Sequence, residues 1–290
     1  DASVENAVRS FLGNLSCDVC ETDLLLVDSL VINSPIKNFS DFQSMPNITT
    51  LTIQNSTIEN LSFVIWLPIM HTLTVSGGSI TNISGISDAP SLINLSLVNC
   101  GISNLTPISG LTKLVALNLT NNNITSIASL GGMTKMVTLN VSSNQLSNLT
   151  GIESMPDLQT LNASNNALTD ISAISGLDSL INVNLANNLI SDIGVLSTLS
   201  QVRQLSLEFN LITDVTALQG LNLLTSLKIA KNNIDDISPL VANTGLGSGD
   251  YLWVTVKWTG TGTIVSPDSG DLDSLGARGV IVDRDYIKID

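Results

Sequence analysis

The residue types that most often carry chemistry are scarce in this chain, which has three cysteines and one histidine. Cys17 and Cys20 form a C-x-x-C pair. A zinc site would need two further ligands, and only Cys100 and His71 are available. A redox motif would need a βαβ context, which the surrounding sequence lacks. We therefore predict a local disulfide between Cys17 and Cys20, with two free thiols as the alternative.

The sequence contains no arrangement of nucleophile, base and acid that would support catalysis. It has no G-x-S-x-G segment, no phosphate-binding P-loop and no paired-carboxylate constellation. His71 directly follows a predicted core position, so its side chain is expected on the surface of the predicted sheet. We predict that the chain is not an enzyme and that it carries no cofactor.

Four aspartates recur at a constant spacing, which raises the question of a calcium ladder. They are Asp170, Asp192, Asp214 and Asp236. Stacked strands would place them about 4.8 Å apart. An Asp in a turn can also accept hydrogen bonds from the local backbone, and we favour this structural role over calcium binding. No metal site is therefore predicted.

Covalent modification is indicated by Asn-x-Ser/Thr segments, which are acceptors for N-linked glycans. Thirteen such segments begin before residue 165, whereas the 11 later asparagines begin none. The acceptor residues are Asn14, Asn38, Asn47, Asn55, Asn60, Asn82, Asn94, Asn104, Asn118, Asn123, Asn140, Asn148 and Asn162. We predict N-glycosylation of the first half of the chain. Accidental motifs in an Asn-rich bacterial repeat are the alternative.

Most of these residues lie on a repeat that dominates the chain and whose period is the step from Leu51 to Leu73. Its origin is the first apolar residue of each Leu-x-Leu pair, and a weaker copy begins at Ser29. The origins are Leu51, Leu73, Leu95, Leu117, Leu139, Leu161, Val183, Leu205 and Leu227, with the same step between each pair of neighbours. Six further apolar columns recur in step with them. One repeat cannot bury these residues alone, so the pattern predicts a stack of repeats around a continuous core.

A polar column lies five residues after the origin. It contains Asn122, Asn144, Asn166, Asn188, Asn210 and Asn232. Cys100 occupies the same place in the preceding repeat. An Asn side chain offers both a donor and an acceptor, so it can satisfy backbone groups where the chain turns inward. We predict an asparagine ladder, with Cys100 as a buried structural thiol.

The resulting pattern, L-x-x-L-x-L-x-x-N/C-x-L, resembles the 22-residue class of leucine-rich repeats, as in bacterial internalins. The resemblance implies an α/β solenoid, a leucine-rich-repeat horseshoe. It would carry short parallel strands on its concave face and 3₁₀ or extended turns on its convex face. Membership of this family also implies binding to other macromolecules without catalysis.

The two ends lack the repeat and are expected to cap it. We predict an N-terminal cap at residues 1–25, repeats at 26–245 and a C-terminal β cap at 246–290. Helical spacing of apolar residues predicts an amphipathic helix over 1–16. Those residues are Val4, Ala7, Val8, Phe11 and Leu12.

In the C-terminal cap we predict strands at 251–258 and 279–283. Segments 243–250 and 275–280 are similar to the terminal segment of bacterial repeat proteins. Lys257-Trp258-Thr259 stands where those proteins usually carry an Asn-Pro-Leu turn.

Composition narrows the range of partners. The formal net charge is −14, and nucleic acid or anionic membrane would require clustered Lys and Arg. No apolar run reaches the ~18 residues of a membrane span. A chain that starts at Asp1 without a signal peptide fits a processed secreted protein or a trimmed fragment. We predict a secreted or cell-surface protein that binds protein and carries N-linked glycans.

Two functions of different classes fit these features. One is recognition of, or adhesion to, a foreign protein. The other is a structural role as a subunit of a self-assembling glycoprotein coat or filament. Ice binding by the Ser, Thr and Asn of the strand face is a lower-rated third function, because the columns mix too many residue types for a regular lattice match.

The predicted contact surface lies at the C-terminal end of the concave face. We take Val254 as the origin of the strand after the last repeat. The surface then comprises Phe209, Lys231, Trp253, Lys257 and Trp258. Aromatic and basic residues gather here in a chain that is poor in both, and such residues often anchor interfaces. An ammonium between two rings would also form a cation–π stack. The alternative is that the aromatic residues only seal the end of the solenoid.

Overall fold

The computed structural model describes residues 1–13, 19–259, 264–266 and 269–289, and it describes side chains outside 256–269 and 286–289. The chain forms two compact units, Asp1–Asn144 and Gln145–Asp290. In each unit a short parallel strand, a turn and a 3₁₀ or extended segment follow one another in every repeat. The predicted leucine-rich-repeat solenoid is confirmed.

The first unit begins with two helices, α1 (Ala2–Phe11) and α2 (Glu21–Leu24). Its strands are β1 (Ser29–Ile32), β2 (Thr50–Gln54), β3 (Ile58–Asn60), β4 (Thr72–Ser76), β5 (Ile80–Asn82), β6 (Asn94–Val98), β7 (Ala116–Asn118) and β8 (Thr138–Asn140). Its 3₁₀ turns are Ser40–Ser44, Ser62–Trp66, Ser84–Asp88, Thr106–Ile108 and Ala128–Leu130. Strands β1, β2, β4, β6, β7 and β8 pair in parallel in that order, whereas β3 pairs with β5.

The second unit has strands β9 (Thr160–Asn162), β10 (Asn182–Asn184), β11 (Gln204–Ser206), β12 (Ser226–Lys228), β13 (Tyr251–Thr259), β14 (Ile264–Ser266) and β15 (Ile281–Ile289). Its helical segments are 3₁₀ turns Ser172–Ile174, Gly194–Thr198 and Thr216–Leu218 and helices α3 (Ser238–Ala242) and α4 (Ser269–Ala277). Strands β9 to β13 pair in parallel in chain order. Strand β13 also pairs with β15 in parallel and with β14 in antiparallel fashion.

Strand register follows the predicted period inside the repeats and departs from it at both ends. Leu51 pairs with Leu73, and Val183 pairs with Leu205, as the period requires. At the start, however, the partner of Leu51 is Leu30, so Ser29 was the wrong origin and this step is shorter than the period by a single position. Backbone hydrogen bonds set which strand residues pair, and they can form although the segment between β1 and β2 is one residue shorter than in the other repeats.

The apolar columns form the interior of each unit. Every predicted origin from Leu51 to Leu227 is at most 2% exposed. Aliphatic side chains fill most of the core, and aromatic side chains join them near the start, where Phe63 stacks with both Phe39 and Phe42. No helix in the described part of the chain is long and apolar enough to cross a membrane.

The N-terminal helix is shorter and less embedded than predicted. Helix α1 ends at Phe11, and Asp1 accepts a hydrogen bond from the backbone N–H of Ser3 as its N-cap. Val4 and Val8 are buried, whereas Phe11 is 43% exposed. Helix α1 packs beside β1, and its buried face consists of these two valines.

The C-terminal segment contains a helix that the sequence reading did not predict. Leu272 and Leu275 of α4 are fully buried. The guanidinium of Arg278, directly after α4, donates to the backbone carbonyl oxygens of Val241, Asn243 and Leu246. These bonds tie the end of α3 to the end of α4 and satisfy carbonyl groups that the interrupted repeat leaves without strand partners.

The ladder asparagines bond to the backbone of two turns at once. In Asn188, Oδ1 accepts from Leu168 N–H at 3.0 Å, while Nδ2 donates to the carbonyls of Ala163 at 3.1 Å and Leu185 at 2.9 Å. Asn122 makes the equivalent bonds in the first unit, and Asn210 and Asn232 make them in the second. A single side chain therefore satisfies at least three backbone groups inside each turn.

Smaller residues occupy the ladder column at its N-terminal end. Cys100 is buried, its N–H donates to Asn122 Oδ1, and burial raises the pKa of its thiol to about 11. One repeat earlier the column holds Gly78, where no side chain fits, because a Cβ would lie 1.9 Å from the carbonyl oxygen of Ser56. Ser56 itself is buried and accepts from Ile36 N–H. The sequence reading missed Ser56 and Gly78, because neither residue matches the Asn or Cys of the pattern.

We predict that Asn188→Leu lowers the free energy of unfolding by ~1–3 kcal/mol, and that Asn166→Leu does the same, because buried backbone groups lose their partners. Urea unfolding followed by circular dichroism measures this change. Asn233→Leu is the matched control, since Asn233 is exposed and lies beside the ladder. Equal stability of Asn188→Leu, Asn166→Leu and the control would mean that the ladder does not stabilise the fold.

Candidate protein-binding surface

One column of the repeat has a left-handed backbone throughout. Four residues after each origin from Leu51 to Leu227, φ lies between +55° and +69°. Asn, Gly or Ser occupies this column in the first seven repeats: Asn55, Gly77, Asn99, Asn121, Ser143, Asn165 and Asn187. The last two repeats instead carry Phe209 and Lys231, with φ of +57° and +60°. A long side chain in this conformation costs roughly 1–2 kcal/mol relative to the right-handed region, and Asn and Gly tolerate it best.

The ring of Phe209 contacts the ring of Trp253. Their centroids are 6.4 Å apart and their planes make an angle of 70°, an edge-to-face arrangement. Lys231 forms an ion pair with Asp285, and because the second ring of the predicted cation–π stack, Trp258, lies outside the described side chains, that stack stays a prediction. The side chains of Lys257 and Trp258 lie outside the described residues, so their membership of the surface stays a prediction.

The predicted register of the last strand was wrong. Leu227 pairs with Leu252, so Leu252 and not Val254 continues the origin column. Trp253 consequently lies beside Lys228, and the position four after the origin moves from Trp258 to Val256. The step between the paired leucines is longer than the period of the repeat, because the turn between β12 and β13 includes α3 and the segment after it.

Two exposed leucines extend this aromatic pair. Leu189 and Leu211 are 49% and 47% exposed, and Phe209 is 44% exposed. Both leucines lie six residues after an origin, and Asn188 N–H donates to the carbonyl of Phe209, which brings the two repeats together beside the left-handed turn. We call Leu189, Phe209, Leu211 and Trp253 the edge patch. In the other repeats the leucine column holds Thr, Ser, Gly, Asn, Gln and Ala, so a comparison of columns would have revealed it.

A carboxylate with an unusual environment lies beside the edge patch. Glu208 directly precedes Phe209. In the two neighbouring repeats the same column holds Ala186 and Ala230, which are both buried. Its Oε2 atom is buried and has no hydrogen-bond partner among the described residues. Glu208 also lies near Tyr251. Burial, the hydrogen bond to Asp283 and the charges of Asp283 and Glu208 together raise the pKa of the Tyr251 hydroxyl.

Many acceptor asparagines have a structural task of their own. In the column nine after the origin, Oδ1 accepts the N–H two residues later: Asn60 from Ser62 at 2.9 Å, Asn82 from Ser84 at 2.8 Å and Asn104 from Thr106 at 2.9 Å. Asn148 does the same with Thr150. All four side chains are exposed. This Asx turn requires Asn or Asp followed by any backbone N–H, and it starts the 3₁₀ or extended segment that follows.

The four aspartates of the same column make the same turn in the second unit. Asp170, Asp192, Asp214 and Asp236 each accept the N–H two residues later at 2.8 Å. The backbone N–H of Ser172, followed by its hydroxyl, holds the pKa of Asp170 below its ordinary value. In Asp214 the hydroxyl of Thr216 is the larger cause of a lowered pKa. Within the described part of the chain no group of three or more His, Cys, Asp or Glu side chains could hold a metal ion.

The acceptor asparagines of the strand face are more enclosed. Asn118, Asn140 and Asn162 are half-buried, and each Oδ1 accepts from both the N–H and the hydroxyl two residues later. The hydroxyl residues Ser142 and Ser164 are themselves buried. The spacing of an acceptor segment and that of this turn are identical, so the sequence alone could not separate the two roles.

The remaining predicted acceptors lie on the surface. Asn38, Asn47, Asn55, Asn94 and Asn123 are exposed, whereas Asn14 lies outside the described residues. The predicted disulfide also involves such a residue, Cys17. Cys20 is exposed and its Sγ lies 2.9 Å from Oδ2 of Asp23, so the pairing of Cys17 with Cys20 stays a prediction.

Comparisons with known proteins agree with this architecture. The family described as Leucine Rich repeats (2 copies) matches residues 112–154 and 156–198. Internalin C2 of Listeria monocytogenes is 31% identical, with a TM-score of 0.68 over 71% of this chain and 93% of that one. An internalin (inlF) of the same bacterium is 21% identical, with a TM-score of 0.80 over 100% of this chain and 91% of that one.

More distant similarity extends to plants. The plant peptide hormone receptor RGFR1, solved in complex with RGF2, is 16% identical with a TM-score of 0.57 over 84% of this chain and 48% of that one. No curated protein sequence gives a significant match. The chain belongs to the leucine-rich-repeat proteins of the internalin type, whose members are typically non-enzymatic scaffolds for protein recognition or adhesion.

We predict that Asn187→Phe lowers the free energy of unfolding by about 1 kcal/mol, because Phe must then adopt the left-handed backbone that Asn tolerates. Asn182→Phe is the control, since Asn182 lies in strand β10 with ordinary backbone angles and Phe fits a strand well. Urea unfolding of both variants gives the comparison. Equal stability would show that this column carries no backbone strain.

Proposed function

We propose that this chain is an extracellular glycoprotein that recognises or adheres to a protein partner through the edge patch, with N-linked glycans confined to its first half. The observation that carries the proposal is Phe209. A bulky residue is retained in a left-handed backbone where other repeats use Asn, Gly or Ser, and its side chain is left 44% exposed. Strained residues with exposed apolar side chains concentrate at binding sites.

The composition of the edge patch supports a protein partner. Leu189, Phe209 and Leu211 are each nearly half exposed, whereas the other repeats from Leu51 to Leu227 carry polar or small residues in the same two columns. Aromatic residues with adjacent charged groups are typical of interface anchors. The receptor RGFR1, whose fold is similar, was solved bound to the peptide hormone RGF2, so the same scaffold is compatible with peptide recognition.

The distribution of Asn and Asp supports the glycans. An Asx turn forms equally well with Asp, as it does at Asp170, Asp192, Asp214 and Asp236. Ser or Thr two residues later is part of the turn itself, since it also follows Asp170, Asp214 and Asp236. The structural task does not explain why the first half uses Asn rather than Asp in this column. The turn engages Oδ1, so the Nδ2 atom that carries a glycan can remain available in the exposed Asn60, Asn82 and Asn104.

We predict that protein purified from its native source carries N-glycans at Asn60, Asn82 and Asn104 and none after residue 164. The half-buried Asn118, Asn140 and Asn162 should be occupied less often, because their side chains are engaged on the strand face, where Asn118 and Asn140 also lie on paired strands. Intact-glycopeptide mass spectrometry measures occupancy at each site. Unmodified Asn60, Asn82 and Asn104 in native material would refute the glycoprotein part of the proposal.

We further predict that Phe209→Ser combined with Leu211→Ser abolishes binding of a surface protein from the native source while leaving the fold intact. Exposed apolar residues away from functional features contribute little to stability. The free energy of unfolding should therefore change by no more than about 0.5 kcal/mol, apart from the change in backbone strain and in the contact with Trp253 at position 209. Ile65→Ser with Ile69→Ser is the matched control, because both isoleucines are exposed in the first unit. Binding is measured with purified components by surface plasmon resonance.

The same variants separate recognition from the alternatives. A large loss of stability with unchanged binding per folded molecule would mean that the aromatic residues only seal the end of the solenoid. Ordered self-association of the pure wild-type protein, seen by sedimentation and electron microscopy and lost in the double variant, would instead favour a coat or filament subunit.

A further inference from the structure

The partner chemistry can be narrowed from the groups that surround the edge patch. Glu208 has a carboxylate oxygen that is buried without a hydrogen-bond partner among the described residues. A charged acceptor in this state is costly, because it has lost water and gained no donor. The side chain is nevertheless retained between two repeats that carry Ala186 and Ala230 at the equivalent position. An alanine would therefore fit the same place without that cost.

Two basic side chains near the edge patch are paired with carboxylates other than that of Glu208. Lys231 forms an ion pair with Asp285, and Arg284 lies 3.6 Å from Asp273. Among the described side chains, Lys228 is a further base of this region, and it lies opposite Trp253 on the neighbouring strand. Neither of these ion pairs engages Glu208 or Asp283, on a chain whose formal net charge is −14. Among the described side chains, these two carboxylates therefore favour an approaching positive charge.

The aromatic rings favour the same ligand. Phe209 and Trp253 meet edge to face, and Phe209 directly follows Glu208 in the chain. A cation over a Trp or Phe ring gains roughly 0.5–1 kcal/mol at an exposed site and more when it is desolvated. A guanidinium or ammonium group that reaches a carboxylate beside such rings makes a charge-assisted hydrogen bond as well.

We propose that Glu208, Phe209 and Trp253 form a subsite for a single Arg or Lys side chain of the protein partner, with a neighbouring apolar residue of that partner covering Leu189 and Leu211. This inference rests on the proposed function of the edge patch and adds the chemistry of the ligand. The basic side chain supplies a donor to Glu208 Oε2, which has none among the described residues, while the leucines supply apolar contact area. A purely apolar partner would leave the carboxylate buried and unpaired.

A display library of random linear peptides, selected on the purified full-length chain, tests this inference. Binders are sorted by whether they also bind the Leu211→Ser variant, which identifies those that use the edge patch. We expect the patch-dependent peptides to be enriched in Arg or Lys next to an apolar residue. For one such peptide, made synthetically, Glu208→Gln should weaken the measured Kd roughly tenfold, which corresponds to the loss of one charge-assisted hydrogen bond.

Glu59→Gln is the matched control, because it removes the same charge from an exposed site in the first unit and should leave the Kd unchanged. Melting curves of both Gln variants verify that each is folded. Patch-dependent peptides without basic residues, or with affinity unaffected by Glu208→Gln, would overturn the basic subsite while leaving the edge patch as a docking surface. Failure to obtain any patch-dependent peptide would overturn both the subsite and the edge patch.

Discussion

The structure depends on satisfying backbone groups inside a chain that turns inward once in every repeat. Parallel strands bond to their neighbours on either side, but the turn that follows each strand buries N–H and carbonyl groups that no strand can reach. The side chains of Asn122, Asn188, Asn210 and Asn232 fill this gap by accepting from the preceding turn and donating to two or more carbonyls. An apolar core alone would leave these groups unpaired, so the ladder and the core are required together.

A second set of side chains solves the same problem on the opposite side of each repeat. One Asx or hydroxyl residue begins the segment nine positions after the origin, and Asn, Ser and Asp all serve, as in Asn104, Ser126 and Asp214. Because backbone geometry accepts any of the three, other demands decide among them. Asn-x-Ser/Thr segments hold the column at Asn60, Asn82, Asn104 and Asn148, and aspartates hold it from Asp170 to Asp236. The hydrogen bond that this column must make is therefore the same in each of these repeats, whereas the type of side chain that makes it changes between the two halves.

The column with the left-handed backbone behaves differently, because its backbone geometry restricts which residue types it can hold. Its geometry is also constant, but it restricts the residue type strongly, and Asn, Gly and Ser satisfy it in seven successive repeats. Phe209 and Lys231 depart from that rule while the backbone does not change. A fold that tolerates this cost at two adjacent repeats can present longer side chains at one edge, where Trp253 and the exposed leucines also lie.

Sequence by itself determined the period, the core columns, the ladder asparagines and the fold class, because each follows from local repetition of residue types. Cys100 and the four aspartates were also assigned structural roles that their observed hydrogen bonds match. Tertiary structure alone decided the partners at the ends. Leu30 rather than Ser29 pairs with Leu51, and Leu252 rather than Val254 pairs with Leu227. Beyond the last complete repeat no period remains to count from, so backbone hydrogen bonding selects the register, and the register places Trp253 against Phe209.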